Sequence, residues 1–409
     1  MSERRTSLVG ALLVAIGPIS MALYTPAMPT LVRIFETTDS TIKLTLALYF
    51  AGFAFTQLLC GPLSDAYGRR RVTVLFMGIY LVGALIAVVA PTVEWLLAAR
   101  VLQGVGASVG VATSRAIVRD QFVGETSARI MNTIGIMLAI GPALAPTIGG
   151  IVLDLSGWHA IFVVMVIFGI GVIGVTLGFM RETTVPDPRL IRPRALLSSY
   201  GRVLGSRTFL AASLTLGGSV GALYTLATVL PFVLIDRAGL SPTQYGVGML
   251  GQSGLFFAGS VAMRFLLPRV SAYRLVLPGL ACIGLAGVSL IASIALVEPS
   301  YVSIMAPVGL YAFGIAFVMP AMTTASLAQF PDIAGAAAAA LGFVQMGMGL
   351  VGGLACAAIG EPVLATAIVI PALAAIAIAA YAVFVRGPSE GLGEPVASVP
   401  APDLVPLHR

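Results

Sequence analysis

Arg100 stands several residues inside an apolar run, in Ala99-Arg-Val-Leu-Gln-Gly-Val-Gly106. A cation at membrane depth costs about 3 kcal/mol unless it is partnered or hydrated, so it must face the interior of a helix bundle rather than lipid. Gln103 lies one helical turn away on the same face and can share its protons. The opposite charge is missing at that depth. None of the 17 acidic residues falls deep in an apolar run; Asp65, Glu94, Asp120, Asp154, Asp236, Glu298, Asp332 and Glu361 all stand at run ends or between runs. A proton carrier inside a membrane needs an ionisable group with a tunable pKa. Asp154, beside Trp158 and His159, is the nearest candidate for that work.

Polar or soft side chains recur near the middle of other runs: Tyr24, Thr25, Tyr49, Gln57, Met137, Tyr224, Gln252, Tyr311, Met322 and Gln345. Aromatics and methionines make an adaptable apolar lining, and glutamines add hydrogen bonds without fixed charge. As a set they suit a neutral or amphiphilic small molecule, and a lining with Arg100 and no carboxylate is unsuited to a dication. Hydrolytic or group-transfer chemistry lacks its parts. The two histidines, His159 and His408, fall at a loop and in the tail, and Cys60, Cys282 and Cys356 form no CxxC pair. A membrane-embedded enzyme, a metal site and a bound cofactor are therefore not expected.

The elements that must carry these residues are membrane helices. The 409-residue chain is 58% apolar and only 10% charged, against about 25% charged in soluble domains. A bilayer core about 30 Å thick takes about 20 apolar residues per helix. Twelve stretches of that length follow one another: 7–31, 41–62, 72–90, 94–115, 129–153, 159–180, 208–234, 243–267, 273–297, 301–325, 334–359 and 362–385. The formal charge of +6 does not gather on one basic face as it would in a nucleic-acid binder. Instead the arginines cluster between runs, and with both termini inside almost all of them fall on the cytoplasmic side; Arg33, Lys43 and Arg237 alone fall on the other. An uncleaved first span, an even helix count and a cytoplasmic N- and C-terminus follow.

The longest internal loop, rich in Pro and Arg, comes after the sixth run. It divides the chain into a six-helix half at 1–180, a cytoplasmic linker at 181–207 and a second six-helix half at 208–385. A Pro-, Gly- and Glu-rich tail at 386–409 has the composition of disorder. Two such halves with a substrate path between them near the membrane midplane are the repeat arrangement of secondary transporters.

Three motifs carry a resemblance. Gly61-Pro-Leu-Ser-Asp-Ala-Tyr-Gly-Arg-Arg-Arg71, between the second and third runs, resembles the signature loop of the major facilitator superfamily. Gly61 would let helices approach, Gly68 supports a tight turn, and Arg69, Arg70 and Arg71 suit an anionic lipid surface. The resemblance implies that Asp65 joins a charge relay latching the cytoplasmic side, with Arg115 as partner; the family's usual Arg after that Asp is Ala66 here. Arg100 and Gln103 resemble the helix-four motif whose Arg the family links to proton transfer. Gly141-Pro-Ala-Leu-Ala-Pro-Thr-Ile-Gly-Gly150 is similar to the antiporter motif of exporters, in which Gly141, Gly149 and Gly150 allow close packing and Pro142 and Pro146 bend the helix.

Leu23-Tyr-Thr-Pro-Ala-Met-Pro29, Arg115-Ala-Ile-Val-Arg-Asp120, Pro231-Phe-Val-Leu-Ile235, Gly239-Leu-Ser-Pro242 and Phe330-Pro-Asp-Ile-Ala-Gly335 are similar to the Bcr/CflA drug exporters. The resemblance implies an all-α integral membrane protein of the inner membrane, monomeric, exporting moderately hydrophobic drugs such as phenicols or bicyclomycin in exchange for protons. One departure bears on mechanism: that group places an Asp before the Tyr of the first-helix motif, and here the stretch reads Met21-Ala-Leu-Tyr24. The same fold without that acid would also suit a carrier of a physiological metabolite or vitamin.

Overall fold

Polar caps and glycines cut the apolar chain into helices of membrane length. A computed structural model describes residues 1–187, 191 and 193–386. Twelve of its helices are long and apolar enough to cross a membrane: α1 Glu3–Ile34, α2 Asp39–Tyr67, α3 Arg69–Val88, α4 Val93–Arg119, α5 Gly124–Ser156, α6 Trp158–Phe179, α7 Arg207–Arg237, α8 Pro242–Leu266, α9 Ala272–Leu296, α10 Tyr301–Ala328, α11 Ala334–Ile359 and α12 Pro362–Arg386. Each overlaps one of the twelve runs, with ends that differ by a few residues. Among the described residues there is no strand. The protein is thus a multi-pass, all-helical membrane protein.

Starts and stops follow from local chemistry. Thr38 accepts a hydrogen bond from the Thr41 N–H at the start of α2, and Ser241 and Gln244 form a reciprocal capping box on α8. Gly68, Gly157 and Gly360 end α2, α5 and α11 with φ of 101°, 76° and 78°. Within α1 the run Thr25–Ala27 tightens to a 3₁₀ turn at Pro26, with Pro29 just beyond it; neither proline supplies an N–H.

The linker departs from its loop reading. Pro193–Leu204 is a helix. Tyr200 and Val203 share its inner face at a spacing of three, and Val203 is buried in the core of the second six helices. The Pro- and Arg-rich composition masks that period. Of the tail only Arg386 lies within the described residues.

Buried apolar side chains form two large clusters. One is drawn from α1–α6 together with Ala227 and Phe232; the other comes from the linker helix and α7–α12. Across the line between them α2 packs along α11 and α5 along α8. The N-terminus shares its face with the α2–α3 turn and the linker: Glu3 pairs with Arg129, and the Asp187 N–H donates to the Asp65 carbonyl. This is called the terminal face below, and the opposite one the distal face.

Candidate functional site

Arg100 is completely buried on α4. Its Nη1 donates to Gln103 Oε1 at 2.6 Å and, more weakly, to the Ser20 carbonyl of α1 at 3.4 Å. The guanidinium carbon lies 4.6 Å from the ring centroids of both Tyr24 on α1 and Tyr49 on α2. Each such contact offsets about 0.5–2 kcal/mol. Nε and Nη2 have no hydrogen-bond partner. The rings are themselves fixed: the Tyr49 hydroxyl donates to the Gly17 carbonyl at 2.9 Å, Tyr24 and Thr45 hydroxyls meet at 2.8 Å, and Tyr80 on α3 meets Ser20 at 2.5 Å. Gln103 Nε2 reaches Met165 Sδ on α6 at 3.5 Å. Five helices of the first half therefore hold one cation in an aromatic cage. No carboxylate stands among the buried side chains of the described residues.

The α2–α3 turn forms a second charged cluster. Arg69, 3% exposed, pairs with Asp65 one turn earlier, reaches Asp120 Oδ2 on the far end of α4 at 3.1 Å, and donates to Ser64 Oγ at 2.7 Å. Thr183 closes over Asp120 at 2.9 Å. Glu182, just past α6, accepts the Arg69 and Arg70 backbone N–H groups at 2.6 and 3.2 Å, an anion on the open N-terminus of α3. Gly68, with its positive φ, lets the chain turn there, and a side chain would strike that carboxylate. Arg70 also ties to the Leu177 carbonyl of α6 at 2.6 Å.

Two expectations about this loop are corrected. Asp65 pairs with Arg69 and not with Arg115, whose exposed side chain forms no ion pair among the described residues because the turn folds its own arginine back onto Asp65. Gly61 mediates no close approach; the space beside it is open. Ala66 is completely buried, so the family's arginine has no room at that position.

The α5 motif builds the distal closure. A side chain at Gly149 would collide with the Leu23 carbonyl of α1, and one at Gly150 with the Pro242 carbonyl of α8. Backbones meet where the glycines stand. Gly141 meets only the Ile19 side chain of α1. Pro142 and Pro146 lie inside α5, and the Pro146 carbonyl rests against Gly246 of α8. Thr147 donates to the Gly246 carbonyl at 2.9 Å. Asp154 accepts from the Thr243 N–H at 3.2 Å and its hydroxyl at 2.6 Å, capping the first turn of α8. Tyr245 reaches back to Thr25 at 3.4 Å. Asp154 is thus exposed and joined to the second half, away from the Arg100 cage.

The remaining lining candidates divide. Gln57 on α2, 6% exposed, lies over Gly342 of α11 with Oε1 unpartnered, and Tyr224 on α7 faces Phe50 of α2 at 5.4 Å between ring centroids. Gln252 and Gln345 are half-buried, and Met137 is exposed on α5. Tyr311 and Met322 are both buried in the core of the second half, with the Tyr311 hydroxyl on the Gly218 carbonyl. Residues passed over in the sequence complete the clusters, namely Ser20, Tyr80 and Met165 around Arg100, and Glu182 on the α3 N-terminus. None of these carries a spacing signal, because each arrives from a different helix.

Among the described residues no group of His, Cys, Asp and Glu could hold a metal ion. The Major Facilitator Superfamily profile matches residues 10–355. This chain belongs to the major facilitator superfamily. It is a transporter, not an enzyme. The chain is 30% identical over 345 residues to the Chloramphenicol resistance protein of Pseudomonas aeruginosa, covering 81% of this chain and 79% of that one. It is 26% identical to Multidrug resistance protein D of Escherichia coli strain K12, over 84% and 86% of the two chains. The crystal structure of an auto inhibited POT family peptide transporter matches with a TM-score of 0.72 at 15% identity, over 93% of this chain and 97% of that one. That last likeness is one of fold: the twelve helices form the major facilitator fold.

Proposed function

We propose that this protein exports small, moderately hydrophobic compounds of the phenicol kind across the inner membrane, by alternating access and in exchange for protons. The distal closure carries the proposal. The hydrogen bonds between α5 and α8 cluster near the distal end, at Thr147–Gly246 and Asp154–Thr243, and the packing glycines belong to the motif resembling that of antiporters. A seam of glycines against carbonyls is tight yet free of interlocking side chains, so it can part and re-form. On this account the terminal face is cytoplasmic, the protein acts as a monomer, and the chain is held with its outer mouth shut and its substrate path approached from inside. The drug-exporting names of two relatives support the choice of cargo. Asp65, Arg69 and Asp120 act as the cytoplasmic latch, and Arg100 with Gln103 acts in coupling.

The test is drug susceptibility of an exporter-deficient host with and without the gene. A phenicol resistance gain supports export. No shift for any drug, together with saturable uptake of a metabolite, favours the second reading, a metabolite carrier or facilitator. The lack of a buried carboxylate among the described residues is the observation that keeps that second reading in play.

A further inference from the structure

Lys43 is the chain's one lysine among 23 basic residues, and the sequence reading places it with the loop charges of the outer side. The structure instead buries it completely, one turn into α2. Its Nζ donates to the Gly360 carbonyl at 2.6 Å, the C-cap of α11, across the line between the halves. The last carbonyls of a helix have no partner within it, and its dipole favours a cation there. Phe232 of α7 covers the ammonium with its ring centroid 5.3 Å from Nζ. Asp39 on α2, Cys356 on α11 and Glu361 beside Gly360 are the titratable groups that act on it, and Glu361 is itself paired with Arg237.

We propose that Lys43 is the latch of the distal mouth: its ammonium, seated on the α11 C-terminal carbonyl, holds α2 against α11 while the substrate path is reached from the terminal face, and it lets go when that mouth opens. The inference rests on the alternating-access account above but not on any particular cargo. A lysine fits this duty where an arginine does not. A lysine brings a compact charge with three N–H donors on a slender stem to that carbonyl, whereas a guanidinium fork would bring five N–H groups to the same acceptor. On opening, water takes the place of the carbonyl, so the bond breaks without leaving the ammonium unsolvated and the latch is reversible. Every other cation in the chain is an arginine, and those named in the clusters above hold contacts within their own half.

Cys356 supplies a native reporter. It is completely buried one turn before Gly360, and the Gly360 N–H donates to its carbonyl. In a Cys60→Ala, Cys282→Ala background, whole cells are treated with a membrane-impermeant maleimide. Lys43→Met is expected to speed labelling of Cys356 about tenfold, a shift of about 1.4 kcal/mol toward the open mouth. Lys43→Gln, which keeps a donor but no charge, is expected to fall between the two. Should the Met variant fail to reach the membrane, the Gln variant carries the comparison alone, with labelling faster than in the parent. Labelling rates equal to the parent in every variant that reaches the membrane overturn the latch, even where transport falls. Because labelling needs no drug, a wrong cargo assignment leaves this result unchanged.

Discussion

The six helices before the linker and the six after it bury different chemistry. All three buried cations among the described residues, Lys43, Arg69 and Arg100, belong to α2, α3 and α4. The buried polar groups of α7–α12 are hydroxyls: Ser213, Thr215, Ser219, Thr225, Thr228, Ser326 and Thr366. Each donates to a carbonyl three or four residues earlier in its own helix. Such bonds are satisfied locally and ask nothing of a neighbour. Arg264 in the last turn of α8, Arg269 in the α8–α9 connection and Arg274 in the first turn of α9 have no carboxylate among them, so this stretch forms no counterpart to the Asp65–Arg69–Asp120 cluster. The first half therefore holds the groups whose energy changes with charge. The second half offers packing surface and one helix C-terminus.

This contrast can be broken in order of expected effect. Arg100→Ala removes the caged cation, and gradient-driven transport is expected to fall about 100-fold, equivalent to about 2.7 kcal/mol in a barrier. A matched change in the other half, Thr225→Val, deletes only a self-satisfied hydroxyl and is expected to alter transport less than about twofold. Equal losses from the two would erase the distinction between halves. Asp65→Asn is expected to reduce transport about tenfold with membrane insertion intact, since Arg69 keeps Asp120 but loses its nearer partner. Transport at the parent rate would remove the latch role from that turn.

A smaller effect tests the linker that joins the halves. Pro62 has no N–H, which leaves the Leu58 carbonyl of α2 without its helical donor. The Tyr200 hydroxyl of the linker helix supplies one at 2.5 Å. Burial pushes the Tyr200 phenol up to about 12, so it remains a donor throughout the ordinary pH range. Tyr200→Phe orphans the carbonyl and is expected to lower stability by about 1–3 kcal/mol, read as the thermal unfolding midpoint in detergent. An unchanged midpoint would mean that the linker lies free of α2.

The smallest effect belongs to the exposed pair Arg202–Asp332, 2.7 Å apart between the linker helix and the α10–α11 connection. The hydrogen bond from Arg202 holds the Asp332 carboxyl below the usual carboxylate range. Its contribution is therefore complete above about pH 4 and is lost as pH falls through the depressed value. Asp332→Asn is expected to lower stability slightly at neutral pH and to leave it unchanged below the depressed value, so that the acid limb flattens; a loss at acid pH as large as that at neutral pH would contradict the assignment.

What the sequence revealed follows from which forces are local. The helices were legible because the bilayer sets their length, and Gly68 and Asp65 because a turn motif keeps its parts together. The cage around Arg100 was not. Tyr24 and Tyr49 read singly as lining, and only the register of α1, α2 and α4 makes them two faces of one site. Lys43 read as a loop charge because it lies near the edge of its run, and its acceptor is more than 300 residues away. Tyr311 and Met322 show the converse: a polar or soft side chain at mid-span is core whenever its helix face turns inward.

The central claim, proton exchange run from the first half with no buried acid among the described residues, meets its most direct test in proteoliposomes. A phenicol is added to vesicles holding the purified protein, and proton movement is followed with a pH-sensitive dye. The account predicts a substrate-dependent proton signal in the parent and in Thr225→Val, and none in Arg100→Ala. Transport of the compound without proton movement, or a signal that survives in Arg100→Ala, would contradict it.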